Sequence, residues 1–144
     1  AYLYTMSQDI INTGNAPAPV GLYPHARKAG NLLFLSGIGP REAGSDRIPG
    51  LELDARGNFV HFDFEAQVHS VFKNVKEVLE ASGSSWDKLI DVTVFLVHMQ
   101  RDFQTYNRIW AEYFPENAPC RTTVSITALP TPIAIELKCI AMLD

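Results

Sequence analysis

The chain has 144 residues, 47% of them hydrophobic, and a net charge of −4, which fits one domain, 1–144, with a substantial core. No basic stripe is present, which weighs against sequence-independent nucleic-acid binding. No apolar run reaches about 18 residues, which excludes a membrane-spanning helix.

Residues 1–15 form a polar, mixed arm or edge, without the basic start and long apolar stretch of a signal peptide. Ala16-Pro17-Ala18-Pro19-Val20-Gly21 is an extended, turn-rich entry. Asn31 to Ser36 is an apolar run that predicts a buried strand. Gly37 to Gly50 holds four glycines and two prolines and predicts a loop. Gly37-Ile38-Gly39 is not a dinucleotide fingerprint, because Pro40 follows and no third glycine is correctly spaced.

Asp63 is a suitable N-cap for a helix whose apolar face is Phe64, Val68, Val71, Phe72, Val75, Val78 and Leu79, with Gly83 as its stop. Leu89 to His98 predicts a central strand. A second helix is expected from about Asp102 to Phe114, with Phe103, Tyr106, Trp110 and Tyr113 or Phe114 as its stripe and Pro115 as its end. Arg121–Thr127 and Ile133–Met142 predict the last two strands. In the final strand Ile133, Ile135, Leu137, Cys139 and Ala141 share one face, and Glu136 lies on the other with Ala134, Lys138, Ile140 and Met142. The order predicts an α+β layer pair, with both helices on one face of a mixed sheet. The other face needs cover, and three copies packed face to face would supply it. Charged residues make up only 19% of the chain, below the roughly 25% usual in soluble domains, which also points to a homo-oligomer.

Two charged residues stand out. Arg121 opens a β-branched strand, and its fixed fork of donors matches a carboxylate in bidentate geometry. The same residue would serve as well in a surface ion pair. Glu136 sits inside an apolar strand, where burial raises a carboxyl pKa toward the operating pH and suits it to proton transfer with water. It would serve equally as an ion-pair partner of Lys138 or Arg121. On neighbouring strands, the pair would fix a substrate carboxylate and place a water beside it. Asn107 either caps a backbone carbonyl or bridges helix and sheet, the bridge being favoured. Tyr23 follows a turn and either reaches a ligand or packs half-buried.

The histidines 25, 61, 69 and 98 have no metal-ligand spacing, so no metal is assigned. Ser36 has no visible base and no nucleophile elbow. Cys120 and Cys139 lack a neighbouring histidine and read as reduced thiols of a cytoplasmic protein.

Several segments together resemble the RidA/YjgF family. They are Asn15 to Tyr23, Leu35-Ser36-Gly37, Asp102-Phe103 with Asn107, Tyr113-Phe114, and Pro119-Cys120-Arg121-Thr122-Thr123-Val124 through Ile135-Glu136. The resemblance runs in order from about residue 12 to 142. It implies a chorismate-mutase-like fold, a mixed six-stranded sheet with two helices on one face, packed as a trimer or possibly a hexamer with sites between subunits. It also implies cofactor-free hydrolysis of 2-imino acids, formed from enamines, to 2-oxo acids and ammonia. Arg121 would hold the α-carboxylate and Glu136 would orient or activate the water. Tyr23 and the Gly37 backbone would line the pocket, supported by Asn107. Many relatives carry Cys where this chain has Thr123, so reactive-thiol behaviour is not expected there, although the hydroxyl could still bond the substrate.

The loop 37–50 and the N-terminal arm look more like the 2-aminomuconate deaminase branch. Its reaction yields 4-oxalocrotonate and ammonia in bacterial breakdown of aromatic compounds. A second substrate carboxylate calls for a second donor, with Arg27, Arg41, Arg47, His25 and His61 as candidates. The alternatives are a general 2-iminoacid deaminase, a non-catalytic trimeric ligand-binding module, and RNA cleavage, which the acidic charge balance disfavours.

Overall fold

Alternation of buried and exposed residues along the strands builds one face of this molecule into its core. The computed structural model describes residues 9–144. In chain order the elements are β1 (Ile10–Ile11), β2 (Ala26–Ala29), β3 (Leu32–Leu35), β4 (Leu51–Leu53), β5 (Phe59–Phe62), α1 (Phe64–Ala81), β6 (Leu89–Leu96), α2 (Met99–Tyr113), β7 (Cys120–Ser125) and β8 (Ile135–Met142). Six strands form a mixed sheet in the order β1-β2-β3-β8-β6-β7, and β4 pairs with β5 in a separate hairpin. The β6–β7 pair is parallel and the others are antiparallel. A parallel pair needs a crossover, which α2 supplies.

The helix α1 starts where expected. The Asp63 side chain accepts from the Ala66 N–H at 3.2 Å, satisfying one of the helix's orphan donors. The chain leaves the helix through Gly83 at φ +81°, a left-handed conformation that glycine adopts cheaply. Val68, Val71, Val75, Val78 and Leu79 are fully buried. They pack with Leu33 and Leu35 of β3, Val92, Val94 and Leu96 of β6, and Ile135, Leu137, Cys139 and Ala141 of β8. Each Val, Leu or Ile among them contributes about 1.5–3 kcal/mol on burial. Gln67, also fully buried, turns its Oε1 to the Ala134 N–H at 2.8 Å and so ties α1 to the entry of β8.

Several expectations are corrected. Strand β2 was missed because Arg27 and Lys28 hide its pattern; Gly30 at φ +59° turns it into β3. The hairpin β4–β5 was also missed. Within the segment expected as an arm or edge, Ile10–Ile11 is an edge strand on β2, while residues 1–8 lie outside the described residues. The helix α2 begins at Met99 rather than Asp102, and its N-cap, His98, makes no side-chain capping bond. Of the expected stripe, Tyr106 and Phe114 are buried and Trp110 and Tyr113 pack against the core, joined by Asp102 and Ile109, whereas Phe103 is exposed.

The most consequential correction concerns β7 and β8. They are not neighbours, because β6 runs between them. Arg121 is in register with Val92, and Val92 with Cys139, a row on the helix-covered face. Glu136 is in register with Phe95, and Phe95 with Val124, a row on the opposite face. Two strand spacings and three residues of offset separate their Cα atoms by roughly 14 Å. Within one chain the two residues therefore do not converge.

Candidate functional site

Glu136 and its surroundings form a cleft on one side of the sheet. Ile38 pairs with Leu137 through two backbone hydrogen bonds of 2.9 Å. This bridge brings Gly37 against the Glu136 carboxylate. A Cβ at Gly37 would stand 2.8 Å from Glu136 Oε2, so only glycine allows the carboxylate its present place. The cleft is small and open to solvent, with a cavity volume of about 40 Å³, and Tyr23, Ser36, Gly37, Ile38, Arg41 and Glu136 are among its lining residues.

Burial lifts the Glu136 carboxyl pKa above its ordinary value. The cause is loss of water around the charged form, with no compensating cation. Among the described residues Glu136 has no salt bridge. Lys138, two residues on, instead donates to the Leu35 carbonyl. The ion-pair role for Glu136 with Lys138 or Arg121 is thus not what the fold uses.

The rest of the cleft wall is built by side chains that serve the backbone. His25 Nδ1 accepts from the Thr13 N–H at 3.1 Å, and Nε2 donates to the Pro17 carbonyl at 2.8 Å. The first bond fixes the tautomer, because Nδ1 must be unprotonated to accept. The Tyr23 hydroxyl accepts from the Val20 N–H at 3.2 Å, while 42% of the residue is exposed at the cleft. Ser36 Oγ donates to the Pro24 carbonyl at 2.7 Å, which leaves it no role as a nucleophile.

Arg121 forms a second, separate centre beside α2. Its Nη2 donates to Asn107 Oδ1 at 2.6 Å, so Asn107 bridges helix and sheet. The guanidinium lies 5.0 Å from the Trp110 ring centre, 5.4 Å from Tyr106 and 5.8 Å from Phe103. Cation–π contact holds its orientation without neutralising it. Among the described residues no carboxylate pairs with Arg121. Thr123 follows two residues along the same strand face, and its Oγ1 is buried without a partner, as is the Tyr106 hydroxyl. Burial pushes the Tyr106 phenol well up, only partly opposed by Arg121. Burial also pushes the Cys139 thiol up to about 12, which keeps it protonated and inert.

The predicted residues thus fall into two groups. Tyr23, Gly37 and Glu136 meet in the cleft, and Arg121, Asn107 and Thr123 meet beside α2. Of the five candidate second donors, Arg41 and His25 line the cleft. His25 is occupied at both nitrogens. Arg47 pairs with Glu42 at 2.7 Å away from the cleft, Arg27 stands on β2 opposite Phe34, and His61 stands on β5 opposite Glu52. Sequence reasoning missed the aromatic box around Arg121, although Phe103, Tyr106 and Trp110 at spacings of three and four were its visible signal. Among the described residues no group of three or more His, Cys, Asp or Glu is placed to hold a metal ion.

Comparison with known proteins gives the family. The family described as Endoribonuclease L-PSP matches residues 13–143. A RutC family protein of Pyrococcus horikoshii is 40% identical, covering 93% of this chain and 97% of the relative. The chloroplastic Reactive Intermediate Deaminase A of Arabidopsis thaliana is 38% identical over 96% of this chain and 68% of its own length. Among solved structures, the YjgF gene product of E. coli superposes with a TM-score of 0.79 at 30% identity, covering 94% of this chain and 98% of that one. The chain belongs to this RidA/YjgF family.

Proposed function

We propose that this member of the RidA/YjgF family is a hydrolytic deaminase of 2-imino acids formed from enamines, working at sites shared between copies of the chain, with 2-aminomuconate as its substrate. The observation that carries the reading is the division of one acid–base pair between two places. Glu136 is an unpaired carboxylate in a cleft, and Arg121 is an unpaired, pre-oriented cation on the opposite sheet face. Each is half of a site. Association of copies would bring the Arg121 of one chain to the cleft of another. The uncovered sheet face, with Phe34 and Ile10 more than a third exposed, supports such packing, and a trimer satisfies it.

The chemistry asks little of the protein beyond positioning. The enamine tautomerises to the imine, water adds to the C=N carbon, and the carbinolamine expels ammonia to leave the 2-oxo acid. For 2-aminomuconate the product is 4-oxalocrotonate. Arg121 would clamp the α-carboxylate through two N–H donors, each charge-assisted bond contributing about 1.5–3 kcal/mol. Glu136, its pKa already raised toward neutral pH, would take a proton from the attacking water and return it to the departing nitrogen. Holding water and imine together supplies the remainder.

The relative named Reactive Intermediate Deaminase A favours a second reading with the same site, a broader 2-iminoacid deaminase. The family description names an endoribonuclease. The net charge of −4 instead supports a small-molecule substrate, since RNA binding relies on phosphate neutralisation. No helix among the described residues is long and apolar enough to cross a membrane.

The test is turnover. 2-Aminomuconate is generated in situ, and loss of the conjugated enamine is followed together with ammonia release, for wild type and Arg121→Ala. Acceleration that vanishes in the variant supports the assignment. Activity confined to 2-iminopropionate or 2-iminobutyrate moves it to the broader deaminase. Silence on all three substrates, with ligand binding retained, overturns catalysis in favour of a binding module.

A further inference from the structure

We propose that Arg41 is a specificity-determining residue that receives a second, distal carboxylate of the substrate, making the cleft a dicarboxylate site. The inference rests on the deaminase reading and deepens it. Arg41 lines the same cleft as Glu136. Only three residues separate it from Gly37, which touches the Glu136 carboxylate, so the two positions lie at most about 14 Å apart along the chain. A conjugated, extended substrate with its reacting carbon at Glu136 points its far end along this wall.

The cation is built into place rather than left on a mobile loop. Three side-chain hydrogen bonds from α1 fasten the backbone around it. Ser70 Oγ donates to the Pro40 carbonyl at 2.7 Å, and Asn74 Nδ2 donates to the Gly39 and Arg41 carbonyls at 2.9 and 2.7 Å. Asn74 is itself only 4% exposed. The guanidinium donates through Nη2 to the Ala18 carbonyl at 2.6 Å and through Nη1 to Asp46 Oδ1 at 2.8 Å. Those bonds use two of its five N–H groups; the others have no partner among the described residues.

Charge supports the same assignment. The Arg41 side chain is 16% exposed, whereas that of Asp46 is 75% exposed. A pair with so exposed an anion is weak and screened by solvent. A ligand carboxylate entering the cleft meets a side chain largely withdrawn from solvent, where a charge-assisted bond counts for more. The other wall residues named at the cleft are uncharged apart from Glu136. A distal carboxylate thus has one cation to meet there, held otherwise, among the described residues, only by the exposed Asp46 and one backbone carbonyl.

The experiment compares wild type with Arg41→Leu and Asp46→Ala, using two substrates and two inert ligands. The substrates are 2-aminomuconate and 2-iminopropionate, and the ligands are trans,trans-muconate and sorbate, measured by calorimetry. Arg41→Leu is expected to lower the ratio of dicarboxylate to monocarboxylate kcat/KM at least tenfold, mainly through KM. It should also abolish the preference for muconate over sorbate. Asp46→Ala loosens the loop but keeps the cation, and should hold both preferences at or above wild type. An unchanged ratio in Arg41→Leu, or an equal loss in Asp46→Ala, overturns the proposal. If wild type turns over neither substrate but prefers muconate in an Arg41-dependent way, the deaminase reading fails and the dicarboxylate site stands. Equal binding of muconate and sorbate by wild type overturns the site whatever the turnover.

Discussion

Replacing Gly37 with alanine tests whether the cleft exists to place one carboxylate. The added Cβ would lie 2.8 Å from Glu136 Oε2 and 3.0 Å from its Cδ. Carbon–carbon contacts settle near 3.5–4.0 Å, so the carboxylate must retreat by roughly 0.5–1 Å. The obstacle is the end of a glutamate side chain and not backbone, so the sheet need not move. Gly37 is not in the left-handed region, so alanine fits its backbone, and the less flexible unfolded chain favours the variant by about 0.4–1 kcal/mol. An off-rotamer Glu136 costs about 0.5–1.5 kcal/mol. These nearly cancel, and the melting temperature should stay within about 4 °C of wild type. Activity should not survive as well. A misplacement of about 1 Å at a reacting group lowers the rate on the order of 100-fold. The assay pairs thermal unfolding with kcat/KM on 2-aminomuconate. A variant that melts like wild type and works within about twofold of it, a barrier change below ~0.5 kcal/mol, would refute the placement argument. So would a fall in stability large enough to explain the lost activity.

Other substitutions separate binding, proton transfer and scaffold. Arg121→Ala should reduce kcat/KM by at least about 100-fold, the loss of two charge-assisted bonds, with little change in stability, and Arg121→Lys should fall between because ammonium cannot form the fork. Glu136→Gln should abolish turnover; wild-type kcat/KM should rise with pH along an acid limb whose midpoint lies above the ordinary carboxylate value of 4.5. Because the folded protein holds that proton more tightly than the unfolded chain, the linked stability is complete below 4.5 and is lost as pH climbs through the higher folded value. Glu136→Gln escapes that loss, so urea unfolding should show the variant matching wild type at acid pH and exceeding it above the window. Gln67→Leu should leave the Ala134 N–H without an acceptor and cost about 1–3 kcal/mol in urea unfolding; an unchanged midpoint would show that the bond contributes nothing.

Much of the fold was legible because its strongest signals are local. The spacing of Val68, Val71, Val75 and Val78 and the cap at Asp63 define α1 without tertiary information, and the alternation from Ile135 to Ala141 defines β8 and its buried face. Features that depend on partners were not legible. Strand β2 carries Arg27 and Lys28 and is a strand because β3 pairs with it. The start of α2 has no capping side chain, so nothing near Met99 announces it. The buried side of α2 includes Asp102, which Arg101 meets at 2.6 Å. An acid in that position reads as a surface residue until its partner is seen.

The site shows a deeper reason for the same limit. Residue type and spacing singled out Arg121 and Glu136, but adjacency in sequence does not give adjacency in a sheet. The parallel crossover through α2 sends β7 to the outer side of β6, while β8 returns to the inner side. Side chains alternate faces along a strand, so the register of Val92 with Arg121 and of Phe95 with Glu136 is enough to send the two charges in opposite directions. A fold that brought both together within one chain would neutralise them as a structural pair. This one keeps each without a counter-charge, a costly arrangement for half-buried groups. The cost is understandable if the missing partner arrives from outside: a carboxylate for Arg121, a water and an imine for Glu136, and a second copy of the chain to bring them together.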